Sequence, residues 1–207
     1  MASPSRLPAG ARWLPGWFGP DQQRQVLAEI HQVIQLAPLY VPTMPRTGKE
    51  MSVRMTNCGA LGWMTDKAGG YRYEATHPVT HKPWPPIPAL LLEVWREVSH
   101  YDAPPEACLV NVYRDGARMG SHQDRDEVDL AAPVVSVSLG DDAVFHVGGR
   151  ERSDPKARVT LRSGDVFVLG GQSRLAFHGV DRIEAGSSDL LPDGGRINLT
   201  LRRVSRP

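Results

Sequence analysis

The sequence runs to 207 residues, enough for one sizeable core, and its 41% hydrophobic and 23% charged residues exclude wholesale disorder. No apolar run approaches the ~18 residues that span a bilayer, and no continuous apolar stretch near the start marks a signal peptide, so a cytoplasmic monomer with no membrane partner is expected. Cys58 and Cys108 suggest neither a disulfide framework nor a thiolate zinc site, while a net charge of only +1 conceals 20 Arg against 4 Lys, a bias towards bidentate contacts with phosphates and carboxylates.

The first twenty residues are rich in Pro, Gly and Arg and predict little regular structure, with Trp13, Trp17 and Phe18 as anchors onto the body. From Asp21, a suitable N-cap, residues Gln22 to Ala37 place Val26, Leu27, Ile30, Val33 and Ile34 at amphipathic-helix spacing, and Pro38 closes the segment. Residues 41 to 88 hold seven prolines and read as short strands and loops, with a strand over Met51 to Asn57. This region has an excess of three positive charges between Thr43 and Trp84, interleaved with Trp63, Tyr71, Tyr73 and Trp84. Cations beside stacking faces suit single-stranded nucleic acid, although an ordinary Arg-rich surface has the same composition. A second helix is expected from Pro88 to about His100, burying Leu91, Leu92, Trp95 and Val98.

From Cys108 onward the hydrophobic period changes from helical to alternating. Strands are predicted at Cys108 to Tyr113, Val134 to Leu139, Ala143 to Val147, Arg158 to Leu161, Val166 to Leu169, Arg174 to His178 and Ile197 to Val204, with a turn at Ser163-Gly164-Asp165. So many short strands without helices between them favour an antiparallel sandwich or jelly roll.

Three polar features stand out in this half. Asn111 and Tyr113 share one face of their strand. Arg196, Asn198, Thr200 and Arg202 alternate with Ile197, Leu199 and Leu201, which makes either a solvated polar face or a carboxylate grip. His122-Gln123-Asp124 supplies an imidazole and a carboxylate two residues apart, a weak signal alone but half of a two-His, one-carboxylate iron site if a distant His joins it. His178 is the first candidate for that ligand and His146 the second; each is also compatible with a hydrogen-bonded core histidine.

Taken together, these stretches resemble the bacterial AlkB-type iron(II)- and 2-oxoglutarate-dependent dioxygenases. The likeness covers roughly residues 40 to 203 and is carried by residues 51–63, 82–85, 111–113, 122–127, 133–140, 164–165, 173–179 and 196–202. The resemblance implies a mainly β, α+β fold: a double-stranded β-helix, or jelly roll, with N-terminal helices and a nucleotide-recognition lid. A single domain is expected, with an N-terminal extension, helices and lid over about 1–105 and the jelly-roll catalytic core over 106–207. The resemblance implies His122, Asp124 and His178 as iron ligands, in preference to His146. It places 2-oxoglutarate against Asn111, Tyr113, Arg196, Asn198 and Arg202, with Arg196 on the distal carboxylate. It brings the substrate base near Trp63 and His122, with Asp126 reading its edge and Glu127 beside it, Tyr71 and Tyr73 near the backbone, and Arg152 as a further contact. An extra residue around Ala68-Gly69-Gly70, Arg54 in place of a small residue and Leu169 in place of an aromatic depart from the family pattern and bear on lid geometry.

The implied activity is oxidative demethylation of bases such as 1-methyladenine and 3-methylcytosine in DNA, single-stranded by preference, with RNA also open. It would use Fe(II), O2 and 2-oxoglutarate and release succinate, CO2 and formaldehyde. Two alternatives are an oxygenase of the same kind acting on a protein or small molecule, and a non-catalytic binding jelly roll.

Overall fold

A computed structural model describes residues 6–114 and 116–207. In chain order it contains β1 (Ala11–Leu14), α1 (Pro20–Leu36), β2 (Arg54–Gly59), β3 (Gly62–Asp66), β4 (Gly70–Glu74), α2 (Ala89–Val98), β5 (Ala107–Tyr113), β6 (Met119–His122), β7 (Val134–Gly140), β8 (Asp142–Val147), β9 (Ala157–Leu161), β10 (Val166–Leu169), β11 (His178–Glu184) and β12 (Arg196–Arg202). Among the described residues, no helix is long and apolar enough to cross a membrane.

Helix α1 forms where the 3.6-residue period requires it, burying Val26, Leu27, Ile30 and Val33. It starts earlier than its predicted cap: Gly19 occupies that position, and Pro20, whose fixed φ and missing N–H suit a first turn, begins the helix. Asp21 therefore sits in the first turn, against the positive end of the helix dipole. Helix α2 buries Leu91, Val94, Trp95 and Val98; Leu92, expected on that face, is only half buried and Val94 takes its place.

The strands form a six-stranded sheet in the order β1-β10-β7-β12-β5-β2, a four-stranded sheet in the order β6-β11-β8-β9, and the separate hairpin β3-β4. Every pairing is antiparallel. Alternation divides the larger sheet between two cores. On one face, Ile197, Leu199 and Leu201 of β12 and Val110 and Val112 of β5 pack with Ile30, Leu91 and Trp95 of the helices. On the other, Leu109 and Tyr113 of β5 meet Phe145 and Val180 of the smaller sheet. The fold is a jelly roll, and β12 turns its four polar side chains towards the space between the sheets. The expected N-terminal extension contributes β1 and β2 to the larger sheet.

The N-terminal segment departs from expectation. Ala11–Leu14 is a strand, paired with β10 from Ala11 opposite Leu169 to Leu14 opposite Val166; residues 1–5 lie outside the described residues. Phe18 is the buried anchor, whereas Trp13 and Trp17 stay partly exposed. Asp165 holds this edge, accepting hydrogen bonds from Trp13 Nε1 at 2.9 Å, Gly16 N at 2.8 Å and Arg162 N at 2.9 Å. The preceding Gly164 has φ +89°, a left-handed conformation that glycine adopts without strain. Replacing Asp165 by Ala strands three donors and should lower unfolding free energy by about 3 kcal/mol in a urea titration; a loss under ~1 kcal/mol would show that pairing with β10 suffices.

Other strands also depart from expectation. The strand expected over Met51 to Asn57 runs over Arg54–Gly59 instead. The strand expected over Arg174 to His178 begins only at His178, because Arg174 N and Ala176 N turn back to Gly171 O and Ser173 O. The short β6 was not predicted, since Met119-Gly-Ser-His offers one apolar residue and no alternation. Cys58 and Cys108, distant in sequence, oppose each other across β2 and β5 as buried free thiols.

Candidate metal and co-substrate site

His122 ends β6 and His178 begins β11, and the two are directly opposed in register, with ring centroids 4.5 Å apart. Asp124 follows β6 and completes a cluster whose candidate ligand atoms all lie within 4.8 Å of one another. Asp124 Oδ1 is 3.7 Å from His122 Nε2, and Asp124 Oδ2 is 3.8 Å from His178 Nε2. Each imidazole donates its Nδ1–H to a main-chain carbonyl at 2.9 Å, His122 to Gly120 and His178 to Ala176. A carbonyl can only accept, so both rings carry a proton on Nδ1 and turn Nε2 towards the cluster.

Electrostatics favour the same state. Burial, helped by the neighbouring His122, pushes the His178 pKa down to about 4, so this ring is neutral at physiological pH. Burial alone would raise Asp124, but Arg202 and the two imidazoles override it and hold the carboxyl below its usual range. Two imidazoles, that of His178 held neutral, and one carboxylate fit a divalent iron with open coordination positions. His146, the competing candidate, is not in this cluster. Its Nδ1 lies 2.7 Å from Asp181 Oδ1, on the face of β8 opposite Phe145, and Asp181 also accepts from Arg158 at 2.9 Å.

The cluster opens into a cavity of about 480 Å³ between the sheets. Asn111, Tyr113, Arg196, Asn198 and Arg202 all line it. Arg196 is 1% exposed and spends one donor on Ser138 Oγ at 2.9 Å, yet its Nε and Nη1 have no partner. Asn111 Oδ1 is unpartnered as well. Asn198 is fixed by Ser136 Oγ at 2.7 Å and Val137 O at 3.1 Å, and Tyr113 presents its ring 5.4 Å from the Arg196 guanidinium. Burial lowers the Arg196 pKa, the mark of a cation lacking its anion. A carboxylate in the cavity would bring an acceptor and a counter-charge to this under-satisfied guanidinium, so the site fits an acidic co-substrate. Arg202 is engaged by charge: its Nη2 lies 3.0 Å from Asp124 Oδ2 and its Nε 3.4 Å from Glu127 Oε1, ion pairs in which neither Arg202 Nε nor Asp124 Oδ2 has a hydrogen-bond partner.

At the cavity mouth, Trp63 of β3 and Tyr71 of β4 stack at 5.7 Å with 22° between their planes. Trp63 Nε1 donates to Asp126 Oδ2 at 2.8 Å, joining aromatic platform and carboxylate. Arg152 donates to Ser121 O at 3.0 Å and sits 4.9 Å over the Phe177 ring. Trp63, Tyr71, Asp126 and Arg152 all line the cavity.

Two expected substrate contacts are placed otherwise. The Glu127 side chain is 1% exposed, and its carboxylate is taken by Arg174 Nη2 at 3.0 Å, by the Tyr73 hydroxyl and by Arg202. Desolvated arginines draw it inward, away from a base edge. Tyr73 correspondingly points its hydroxyl into the body, not at a nucleic-acid backbone. Sequence reasoning missed Arg174, which is 3% exposed and donates to Ala132 O at 2.7 Å and Asp124 O at 2.6 Å; the available signal was an arginine inside an otherwise apolar expected strand. It also missed Ser136 and Ser138, which alternation within Val134–Gly140 sets on one strand face: Ser136 lines the cavity and Ser138 accepts from Arg196.

The family model described as "2OG-Fe(II) oxygenase superfamily" matches residues 10–202. The chain is 51% identical over 204 residues to a Caulobacter vibrioides protein named alpha-ketoglutarate-dependent dioxygenase AlkB homolog, covering 99% of this chain and 92% of the relative. A shorter match, 43% identical over 108 residues, covers 47% of this chain and 24% of an Arabidopsis thaliana protein named DNA N(6)-methyladenine demethylase ALKBH1D. Among solved structures, one titled "The structure of OsALKBH1" superposes with a TM-score of 0.77 at 31% identity, covering 96% of this chain and 99% of that one.

Proposed function

The chain belongs to the 2OG-Fe(II) oxygenase superfamily and is an iron(II)- and 2-oxoglutarate-dependent dioxygenase that oxidatively demethylates alkylated nucleic acids, and we propose that its preferred substrates are cationic N-methylated bases in single-stranded DNA. The observation that carries this reading is one cavity joining the His122, Asp124 and His178 cluster to a buried Arg196 with two unpartnered donors. His122, Asp124 and His178 would hold the iron. Arg196 would grip the distal carboxylate of 2-oxoglutarate, with Asn111, Tyr113 and Asn198 lining its berth. Bound there, iron(II) with 2-oxoglutarate and O2 would supply the oxidising power to hydroxylate an N-methyl group, which would leave as formaldehyde, with succinate and CO2 as co-products.

The remaining work falls to the chain's own residues. Trp63 and His122 would flank an extruded base, and Tyr71, 49% exposed, extends the stacking surface outwards. Asp126, fixed by the Trp63 indole, offers a carboxylate to the positive charge of 1-methyladenine or 3-methylcytosine. Arg152 stands at the same mouth as a cation for the strand. A protein acting as a monomer in the cytoplasm fits this reading, and RNA bearing the same bases is the alternative substrate.

Succinate formation with iron(II), ascorbate and 2-oxoglutarate should be stimulated several-fold by single-stranded DNA carrying 3-methylcytosine and not by unmodified DNA. Equal stimulation by both, or by neither, would transfer the activity to another substrate class. Asp126→Ala should lower kcat/KM for the cationic lesion by about 10- to 100-fold, more than it lowers succinate formation without DNA. An equal loss of both would remove Asp126 from base selection.

A further inference from the structure

The buried groups beneath the aromatic hairpin form a closed circuit. Glu127 Oε2 accepts from Arg174 Nη2 at 3.0 Å, and Arg174 Nη1 donates to the main-chain carbonyl of Asp124 at 2.6 Å. Arg202 bridges the two carboxylates, at 3.0 Å from Asp124 Oδ2 and 3.4 Å from Glu127 Oε1. Asp124 is thus held through its side chain by one arginine and through its backbone by the other. Glu127 Oε1 also accepts the Tyr73 hydroxyl, and Tyr73 belongs to β4, half of a hairpin separate from both main sheets. The same hairpin carries Trp63 and Tyr71, the stacking surface at the mouth.

We infer that Glu127 is a positioning residue that couples occupancy of the aromatic hairpin by nucleic acid to the affinity of the co-substrate site, through Tyr73 on one side and Arg202 and Asp124 on the other. Oxygen Oε1 accepts from Tyr73 and is ion-paired with Arg202, so a shift of β4 that moves it changes the field on Arg202 and thence on the Asp124 carboxylate. All four groups are largely withdrawn from water, so the change is not screened. The inference rests on the substrate reading above, because it needs nucleic acid on the hairpin.

The test titrates 2-oxoglutarate into the full chain loaded with redox-inert Mn(II), by calorimetry, with and without a single-stranded oligonucleotide carrying 3-methylcytosine. Wild type should bind 2-oxoglutarate ~5-fold or more tightly when the oligonucleotide is present, and the reverse titration should give the same factor, because linkage is reciprocal. Tyr73→Phe removes only the hydroxyl and should bring that factor to about 1 from both directions. Glu127→Gln should do the same and also weaken 2-oxoglutarate binding without DNA. Trp63→Phe, which leaves the circuit intact, should weaken oligonucleotide binding yet keep the factor.

A factor of 1 in wild type, or an undiminished factor in Tyr73→Phe, would overturn the coupling while both ligands still bind. Failure of wild type to bind any methylated oligonucleotide would overturn the substrate reading, and the coupling with it. Should Glu127→Gln fail to fold, Tyr73→Phe alone decides.

Discussion

Replacing His178 by alanine should weaken Mn(II) or Co(II) binding by at least ~100-fold and remove detectable succinate formation, since even outer partners of metal ligands contribute 10- to 100-fold. The loss is large because the geometry leaves no substitute. His178 is opposed in register to His122, its Nε2 is turned to Asp124 by the bond from Nδ1 to Ala176 O, and burial keeps it neutral. Among the described residues no third imidazole belongs to the cluster. His146→Ala supplies the contrast: its ring pairs with Asp181 on the other face of β8, so metal affinity should stay within ~3-fold of wild type even if stability falls. Isothermal titration with either metal decides. Retained binding in His178→Ala, or its loss in His146→Ala, would assign the second imidazole wrongly.

Replacing Arg196 by methionine should move function and stability in opposite directions. Two charge-assisted hydrogen bonds to a carboxylate contribute roughly 3 kcal/mol together, so the KM for 2-oxoglutarate should rise by about 100-fold. Without co-substrate, however, the guanidinium is an uncompensated buried cation with Nε and Nη1 unpartnered. Removing such a charge in favour of an apolar side chain of similar reach stabilises by roughly 1 to 3 kcal/mol, so the co-substrate-free variant should melt several degrees higher. Adding 2-oxoglutarate should close that gap by raising wild type alone. A variant that melts lower and keeps its KM would mean that Arg196 is satisfied in some other way and does not receive the dicarboxylate.

Much of this architecture is legible in the sequence because periodicity survives burial. The residues of α1 repeat at the helical period, and β12 alternates without a break from Arg196 to Arg202. What alternation could not say is whether the polar face of β12 meets water or a cavity; the second sheet and the helices, packed on its two sides, bury all seven residues. Strand β1 was hidden for a different reason. Its pairing is made by backbone, and its side-chain anchor, Asp165, lies 152 residues from Trp13. Glu127 shows the same limit at the site itself. A carboxylate three residues beyond Asp124 reads alike whether it faces a substrate or two arginines, and Arg174, 47 residues on, decides between them. Asp126, one position earlier, is held at the mouth instead by the bond from Trp63, reached through the hairpin.

The most direct test is mass analysis of a short single-stranded oligonucleotide carrying 3-methylcytosine after incubation with the protein, iron(II), ascorbate, O2 and 2-oxoglutarate. The oligonucleotide should lose the mass of its methylene and release an equal amount of formaldehyde, with both changes absent for His178→Ala. Succinate accumulating while the methylated strand keeps its mass, across DNA and RNA alike, would contradict the assignment of this cavity to nucleic-acid demethylation.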